Sequence, residues 1–389
     1  MRGEWRGRAY GALATALNRG NVPRPTDSVS WSQEQEKALR AVGDWLDAGD
    51  RPIFRLFGYA GTGKTTLARH IASQVDGDVC FAAFTGKAAL VLREKGCPDA
   101  STIHSLIYRS RGSGETGPQF VLNRQSDAAK AKLIVVDECS MVDEDLGRDL
   151  LGFGTPVLVL GDPAQLPPVK GAGYFTEHPA DAMLTEIHRQ AKDDPIIALS
   201  TLVREGGKLE QGVYGESRVV SRREIDAEAI LKADQVLVGM NKSRRAYTTR
   251  IRQLLGFRDP MPAAGETLVC LRNDKTKGLL NGGLFTVKKL SGEEEGRLAM
   301  DVAAEGERSS TRVSVPREFF EGREEELSYA QRRKGDEFDY GYVLTVHKAQ
   351  GSQWDDLVLF DESWAFREHR ARWLYTGLTR AAKRLTVVQ

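Results

Sequence analysis

One stretch of the sequence combines glycines, a lysine and threonines at a spacing suited to holding a phosphate group. Residues 58–65 read Gly-Tyr-Ala-Gly-Thr-Gly-Lys-Thr, after an apolar run and before a helix-like stretch. The glycines let consecutive backbone N–H groups turn toward phosphate oxygens, and the lysine adds a positive charge. We expect six residues to bind a nucleotide: Gly61, Thr62, Gly63, Lys64, Thr65 and Thr66. A glycine-rich turn with no ligand is the alternative interpretation.

Two adjacent carboxylates follow a second apolar run. Leu133-Ile-Val-Val136 leads directly into Asp137 and Glu138. We expect Asp137 and the Thr65 hydroxyl to lie in the shell of a Mg²⁺ ion, and Glu138 to polarise an attacking water. Asp-Glu pairs also occur by chance in surface loops, but the apolar run before this pair favours the catalytic interpretation.

A glutamine follows a third apolar run. Val157 to Leu160 precedes Gly161-Asp-Pro-Ala-Gln165-Leu-Pro-Pro-Val169. Beside a phosphate loop, Gln165 can sense the γ-phosphate and position water, as the glutamine of a GTPase does. A proline-stiffened turn is the plainer interpretation, and the two are compatible.

Apolar runs and helix-like stretches alternate twice along the chain, which predicts two α/β cores built on parallel sheets with helices on both faces. The first core has candidate strands at Ile53 to Phe57, Val79 to Phe84, Leu133 to Val136 and Val157 to Leu160. The second has candidate strands at Gln235 to Val238, Tyr342 to Val346, Leu357 to Phe360 and Leu385 to Val388.

Each core contains a stretch without this alternation. Leu106 to Arg109 and Gln119 to Asn123 flank a glycine-rich segment at 112–117, which predicts a small β-hairpin. Residues 273–338 predict a small all-β module, with candidate strands at Leu284 to Leu290, Leu298 to Ala303 and Thr311 to Val315.

Composition limits the classes of protein that the chain can belong to. The 389 residues exceed one ordinary domain, and 55 Lys and Arg balance 54 Asp and Glu, so any nucleic-acid surface must be a local groove. No apolar run approaches the roughly 18 residues that cross a bilayer, so we expect no membrane partner.

The four cysteines and the N-terminal residues carry little chemical signal. Cys80, Cys97, Cys139 and Cys270 show no CxxC spacing, which argues against zinc and a disulfide scaffold and favours a reducing cytoplasm. Residues 1–30 include five arginines but lack the apolar stretch of a secretory signal, and we treat them as an extension of unassigned role.

From Trp31 to Gln389, the order of motifs resembles superfamily 1 helicases, specifically the RecD-like and Dda-like branch 1B. Trp31-Ser-Gln-Glu-Gln35 resembles the Q motif, while Phe84-Thr-Gly-Lys-Ala-Ala89 and Ser101-Thr-Ile-His-Ser-Leu106 resemble motifs Ia and Ib. Asp137 to Met141 and Gly161 to Val169 resemble motifs II and III. Leu184 to Gln190 resembles the arginine-finger segment, Thr345 to Ser352 motif V, and Tyr375 to Ala381 motif VI.

For the nucleotide, the resemblance implies that Gln35 contacts adenine and that Gly351 also lies at the nucleotide. It further implies that Arg189 and Arg380 act as arginine fingers. Phe84 stands where many relatives have proline, and Ala349 where many have serine; neither departure removes a reacting group.

For nucleic acid, the resemblance implies contacts from two sets of residues along a single strand. The first set is Thr85, Lys87, Thr102 and His104, and the second is Thr345, His347 and Lys348. Isolated histidines are usually structural, but their positions within motifs favour contact with DNA for His104 and His347.

The implied fold is a pair of RecA-like domains. Residues 31–190 would form domain 1A with a pin hairpin at about 107–130. Residues 191–389 would form domain 2A with an SH3-like insertion at about 273–338.

The implied activity is ATP- and Mg²⁺-dependent unwinding of DNA, with 5′-to-3′ movement of a monomeric motor along single-stranded DNA at duplex junctions. Replication or recombination proteins are the expected protein partners. One alternative is a RecD-type accessory subunit of a helicase–nuclease complex. A second, an AAA-type loader or small-molecule kinase, does not account for His347 to Gly351 or for Thr379-Arg-Ala381.

Overall fold

The computed structural model describes residues 31–97, 99–114, 117–167, 173–187, 193–274 and 276–389, with the backbone alone over 110–119. The chain divides into two compact units, with the main boundary between Ala198 and Leu199. Within the described residues no helix is long and apolar enough to cross a membrane.

The first unit is built on a six-stranded parallel sheet in the order β3-β2-β6-β7-β1-β8. Its strands are β1 (Ile53–Gly58), β2 (Val79–Ala83), β3 (Ser101–Thr102), β6 (Leu133–Asp137), β7 (Val157–Gly161) and β8 (Ala182–Leu184). Its helices are α1 (Gln33–Ala48), α2 (Lys64–Gln74), α3 (Gly86–Glu94), α4 (Ile103–Ile107), α5 (Asp127–Lys130) and α6 (Glu144–Leu151).

Both faces of this sheet are buried because successive strand residues point to opposite sides. Leu133 and Val135 pack in one cluster with residues of α1, α2 and α3, such as Val42 and Ile71. Ile134 and Val136 pack in a second cluster with residues of α4, α5 and α6. The expectation of a sheet covered on both faces is therefore confirmed.

A two-stranded ladder joins β4 (Tyr108–Gly114) and β5 (Gly117–Leu122). The hairpin begins later than expected, because Leu106 belongs to α4. Thr102 caps that helix, its hydroxyl oxygen accepting a hydrogen bond from the Ser105 N–H at 3.1 Å. The cap satisfies a helix N–H that has no partner within the helix.

The second unit contains a six-stranded sheet in the order β17-β11-β18-β19-β10-β9, parallel except for the β9–β10 pair. Its strands are β9 (Gly212–Tyr214), β10 (Ser217–Val220), β11 (Gln235–Val238), β17 (Val343–Thr345), β18 (Trp354–Phe360) and β19 (Ala381–Val388). Its helices are α8 (Ala227–Lys232), α9 (Asn241–Leu254) and α12 (Arg370–Leu378), while α7 (Pro195–Arg204) crosses the chain boundary between the units.

A five-stranded antiparallel sheet in the order β15-β14-β13-β12-β16 completes the second unit. Its strands are β12 (Thr267–Cys270), β13 (Leu284–Glu294), β14 (Arg297–Ala304), β15 (Thr311–Pro316) and β16 (Phe338–Tyr340), with the short helices α10 (Glu318–Glu321) and α11 (Tyr329–Arg333). The sheet starts at Thr267, before the expected limit of 273.

Buried ion pairs attach α9 to this second sheet. Arg252 donates from Nε to Glu266 Oε1 at 2.7 Å and from a terminal nitrogen to Oε2 at 2.9 Å, and the Glu266 side chain is fully buried. Arg244 donates to Asp339 Oδ2 at 2.6 Å. The two-point contact of Arg252 fixes the orientation of its guanidinium as well as its position.

We predict that Glu266→Gln lowers the free energy of unfolding by about 3–5 kcal/mol, because it leaves the buried Arg252 charge without its partner. Urea titration followed by tryptophan fluorescence measures the loss. The matched control is Glu228→Gln, which removes an exposed pair with Lys232 and is expected to leave the unfolding midpoint unchanged. Equal losses in the two variants would contradict the prediction.

Candidate active site

The phosphate-loop sequence forms a tight turn between β1 and α2. Gly61 and Gly63 both have φ of +78°, which favours glycine, and Gly63 caps α2. A Cβ atom at Gly58 would lie 2.7 Å from Thr62 Oγ1 and 2.9 Å from Leu184 Cβ. The path of the loop therefore requires glycine for two reasons, backbone conformation and close packing.

Hydrogen bonds within the loop hold its charged side chain in place. Lys64 Nζ donates to the Gly58 carbonyl at 2.7 Å and to the Tyr59 carbonyl at 3.0 Å. Thr62 Oγ1 donates to the Tyr59 carbonyl at 2.8 Å. The ammonium thus lies over the turn, where a phosphate would meet the loop N–H groups and the N-terminus of α2.

Gln35 supports the loop from α1. Its side-chain Nε2 donates to the Thr62 carbonyl at 3.1 Å, and its Oε1 accepts from the Ser32 N–H at 3.0 Å in a capping box. The side chain is almost fully buried. Gln35 therefore couples the start of α1 to the phosphate loop, and its contact with adenine remains a prediction.

The two carboxylates lie at the carboxyl end of β6, where Asp137 is the last residue of the strand and Glu138 follows it. Thr65 Oγ1 donates to Asp137 Oδ2 at 3.1 Å, so a hydroxyl and a carboxylate converge. Burial and then the neighbouring Glu138 charge raise the pKa of Asp137 above its usual value. Glu138 has φ of +53°, a strained conformation for a residue with a side chain. Paired oxygen ligands of this kind suit Mg²⁺, which usually takes one or two protein carboxylates.

Gln165 lies in the turn after β7. Asp162 shapes this turn by accepting hydrogen bonds from the Ala164 N–H at 3.0 Å and, through its carbonyl, from the Gln165 N–H at 3.1 Å. The Gln165 side chain is 7% exposed, and its Oε1 has no hydrogen-bond partner among the described residues. A buried, unpaired oxygen costs about 1–3 kcal/mol, which a bound water or ligand can recover.

Sheet register explains why these groups meet. Phe57 of β1 pairs with Gly161 of β7, and Val136 of β6 pairs with Val159 of β7. The three strands are parallel, so the segments that follow them emerge at one edge of the sheet. Ligands of open α/β sheets bind at this carboxyl edge.

The two expected arginine fingers differ in what the structure describes. Arg189 lies outside the described residues. Arg380 is buried, and its guanidinium donates to the Thr376 carbonyl at 3.1 Å, the Ser352 carbonyl at 3.3 Å and Thr379 Oγ1 at 3.2 Å. These acceptors belong to the same unit as Arg380.

Sequence reasoning missed the carboxylate that fixes the segment leading toward Arg189. Glu34 accepts hydrogen bonds from the Thr185 N–H at 2.6 Å and the Glu186 N–H at 2.8 Å. Burial opposes the shift, but the hydrogen bonds from Thr185 and Glu186 lower the pKa of Glu34. Its position in the first turn of α1 gave no signal of this long-range contact.

The first set of nucleic-acid candidates, Thr85, Lys87, Thr102 and His104, occupies different environments. The Thr102 hydroxyl is used in the cap of α4, whereas His104 is exposed and its ring lies 4.9 Å from the Tyr108 ring. Thr85 and Lys87 are half-buried around the start of α3. His104 is thus the most accessible member of this set.

The second set surrounds the end of β17. Thr345 is buried, and its Oγ1 accepts from the Lys348 N–H at 3.3 Å, while the Lys348 side chain is exposed. The His347 ring lies 5.4 Å from the Phe366 ring. Burial and then the charge of His369 lower the pKa of His347. Gly351, with φ of +76°, ends the turn of motif V.

A second missed residue is Glu362, which follows β18. Its carboxylate is buried and accepts from the Gly239 N–H at 2.8 Å, the Met240 N–H at 3.0 Å and the Ser243 hydroxyl. The signal was a pair of acidic residues, Asp361 and Glu362, directly after an apolar run, as at Asp137 and Glu138. Glu362 ties the segment after β18 to the N-terminus of α9.

All four cysteines are free, and burial raises the pKa of the Cys80 thiol to about 11. Within the described part of the chain, no cluster of three or more His, Cys, Asp or Glu residues could hold a metal ion. The oxygen pair at Thr65 and Asp137 is therefore the metal-binding candidate that the geometry offers.

Two family models match the chain. The first, described as an AAA domain, covers residues 30–222. The second, described as a UvrD-like helicase C-terminal domain, covers residues 340–388. The first match covers the phosphate-loop unit and continues through β9 and β10 of the second unit, and the second runs from the end of β16 to the last strand.

The chain is 30% identical to the ATP-dependent RecD2 DNA helicase of Deinococcus radiodurans over 91% of its own length and 48% of that protein. It is 32% identical to the ATP-dependent DNA helicase dda of Enterobacteria phage T4 over 38% of its length and 37% of that protein. The chain thus spans about half, or less, of these curated relatives.

A crystal structure of a Pif1 helicase from Bacteroides in complex with ADP-AlF3 and ssDNA shares the fold. It matches with a TM-score of 0.55 at 17% identity, over 92% of each chain. This likeness supports two RecA-like domains. The family models and the curated relatives show that the chain is similar to DNA helicases of the RecD2 and dda type.

Proposed function

We propose that the chain is an ATP-driven DNA helicase that moves along single-stranded DNA and separates duplex at a junction. The observation that carries the proposal is the convergence of Lys64, Thr65 and Asp137 with the Gln165 turn at one sheet edge. The 30% identity between this chain and a RecD2 DNA helicase supports the proposal.

In this proposal Lys64 exchanges its two loop carbonyls for the oxygens of the β- and γ-phosphates. Thr65 and Asp137 would hold Mg²⁺, which when bound neutralises charge on the phosphate oxygens. Glu138 accepts a proton from the attacking water, and the unpaired Oε1 of Gln165 orients that water. Gly61, Thr62, Gly63 and Thr66 provide the surrounding loop and helix start.

We assign Arg189 and Arg380 to the stabilisation of negative charge on the transferred phosphate. Arginine fingers contribute about 10³–10⁵ in rate in GTPases. To act in this way, Arg380 has to release the carbonyls of Thr376 and Ser352. Gln35 and Gly351 complete the proposed nucleotide contacts.

Movement along DNA would come from alternate grip by the two sets of motif residues. Thr85, Lys87 and His104 would hold one stretch of the strand, with Thr102 positioning His104 through the cap of α4. Thr345, His347 and Lys348 would hold the next stretch. Contacts of this kind read no sequence, and the logarithm of affinity falls by roughly 0.7 per neutralised phosphate per log unit of salt.

The test of this function is ATPase activity with and without single-stranded DNA. We expect DNA to stimulate the wild-type protein and Lys64→Ala to lose about 100-fold or more of the stimulated rate, because a charge on the phosphates is removed. Lys130→Ala, which removes an exposed lysine of the same unit, is the matched control and is expected to keep the rate. Stimulation that persists in Lys64→Ala would refute the proposed site.

We infer that the β4–β5 hairpin is the wedge that separates the strands. Deleting residues 110–118 is expected to spare DNA-stimulated ATPase while abolishing unwinding of a forked duplex, because translocation and strand splitting use different parts of the chain. Deleting residues 306–309 from the β14–β15 turn provides a control that shortens a different strand connection. The wedge assignment is wrong if the hairpin deletion still unwinds.

A second candidate is a RecD-type accessory subunit of a helicase–nuclease complex, whose unwinding needs a partner. Duplexes with a single 5′ or 3′ tail separate the two candidates. We expect the purified monomer to unwind the 5′-tailed duplex at least about tenfold faster than the 3′-tailed one, a difference of roughly 1.4 kcal/mol in barrier. Failure on both tails, restored by replication or recombination proteins, would support the accessory subunit.

A further inference from the structure

The segment that follows β18 lies at the same sheet edge as motif V. Val238 of β11 pairs with Thr345 of β17, and Leu237 pairs with Leu359 of β18. All three strands are parallel, so the residues after Thr345 and after Phe360 leave the sheet on one side. Residues 361–372 are therefore neighbours of the proposed DNA contacts at 345–348.

Two residues of this segment, Glu362 and Phe366, fix its position. At its start, Glu362 accepts hydrogen bonds from Gly239, Met240 and Ser243. Further along, the Phe366 ring stacks on Trp373 of α12 at 5.2 Å and contacts His347 at 5.4 Å. A segment anchored in this way presents its remaining side chains in a defined position.

A tryptophan, Trp364, lies between these two anchors, and its side chain is not buried in the core. Trp364 is 62% exposed, although the segment around it is packed. Exposed single apolar residues are common, but an exposed indole among cations is a recurring feature of single-strand binding surfaces.

The exposed charges beside Trp364 are predominantly positive. Arg367, Arg370 and Arg372 have exposed side chains, whereas of the three acids in 361–372 Glu368 is exposed, Asp361 is half-buried and Glu362 is buried. In the part of the chain that the structure describes, neither Arg367 nor Arg372 forms a side-chain ion pair. Surface cations without acidic partners attract a polyanion more strongly than they attract a protein surface with few acidic residues.

Arg367 also has an unusual backbone. Its φ of +43° and ψ of −115° lie where residues with side chains are rarely found. Such a conformation costs about 1–3 kcal/mol and is typically retained where it positions a functional group. Glycine would adopt it freely, so the sequence keeps a costly arginine at this turn.

We propose that Trp364 stacks on a base of the single strand and that Arg367 binds an adjacent phosphate, extending the track that begins at His347 and Lys348. The inference rests on the proposed function and adds to it a second type of contact. An aromatic face accepts every base, so the contact grips the strand without reading its sequence.

The test is binding of oligo(dT) to the full chain, measured by fluorescence anisotropy. We expect Trp364→Ala to raise Kd about 5- to 150-fold, the range for loss of one stacked base, and Trp364→Phe to recover most of the affinity. The matched control, Tyr329→Ala, removes a 42%-exposed aromatic of helix α11 and is expected to bind like the wild type. Thermal unfolding midpoints identify any variant that is misfolded.

Intrinsic fluorescence gives a second readout that needs no loss of affinity. Oligo(dT) is expected to quench the emission of the wild type, and Trp364→Phe to lose most of that quenching, since among the described tryptophans Trp45, Trp354 and Trp373 are buried and Trp31 is half-buried. Equal Kd for Trp364→Ala and the wild type, with quenching retained in Trp364→Phe, would overturn the inference alone. A wild-type chain that does not bind oligo(dT) would overturn the proposed function as well.

The role of Arg367 has its own variant. Arg367→Gly relieves the positive φ, so it is expected to fold at least as well as the wild type. It should reduce the slope of log affinity against log salt by roughly 0.7, the value for one phosphate contact in a single strand. An unchanged slope would exclude Arg367 from the track.

Discussion

The parallel pairing of β6, β7 and β1 is the constraint on which the site depends. Parallel strands in register end at one level, so the segments after Asp137, Gly161 and Phe57 meet without any direct attraction between them. Burial on both faces holds that register, because a one-residue slip would move Val135 and Ile134 to the wrong clusters. Packing of the hydrophobic core therefore determines the position of the candidate site. It brings a lysine, a hydroxyl, a carboxylate and a glutamine to the same edge of the sheet.

The site is held in a state that a ligand can relax. Lys64 is occupied by two carbonyls, Glu138 has a positive φ, and the Gln165 Oε1 is buried without a partner among the described residues. Burial and the neighbouring Glu138 charge raise the pKa of Asp137, because both disfavour the ionised carboxylate. A nearby cation would favour that ionised form. In the proposed function, a phosphate group would offer Lys64 anionic oxygens, and a divalent ion would favour the ionised form of Asp137.

The sequence was sufficient for groups whose role is local and insufficient for those whose role is a long-range contact. The loop glycines, the acids after β6 and Gln165 follow apolar runs, and the runs that predicted β1, β6, β7 and β11 lie within the observed strands. Thr102 was expected on DNA, yet its hydroxyl caps α4, since capping competes for the same atom. Glu34, Glu362 and the Arg252–Glu266 pair join segments far apart in the chain, and no local periodicity encodes such partners.

In the proposed mechanism, Arg380 is an arginine finger whose use depends on a nearby anion. Its guanidinium donates to two neutral carbonyls, and each such bond contributes about 0.5–1.5 kcal/mol net. A bond from the same group to a phosphate oxygen pairs opposite charges and is roughly twice as strong. We therefore expect the Arg380 guanidinium to keep its hydrogen bonds to the Thr376 and Ser352 carbonyls until an anion is close enough to form stronger ones. In this proposal, the charge on the nucleotide, rather than flexibility of the side chain, determines when hydrolysis proceeds. A motor needs such control if it is to hydrolyse nucleotide only when it moves.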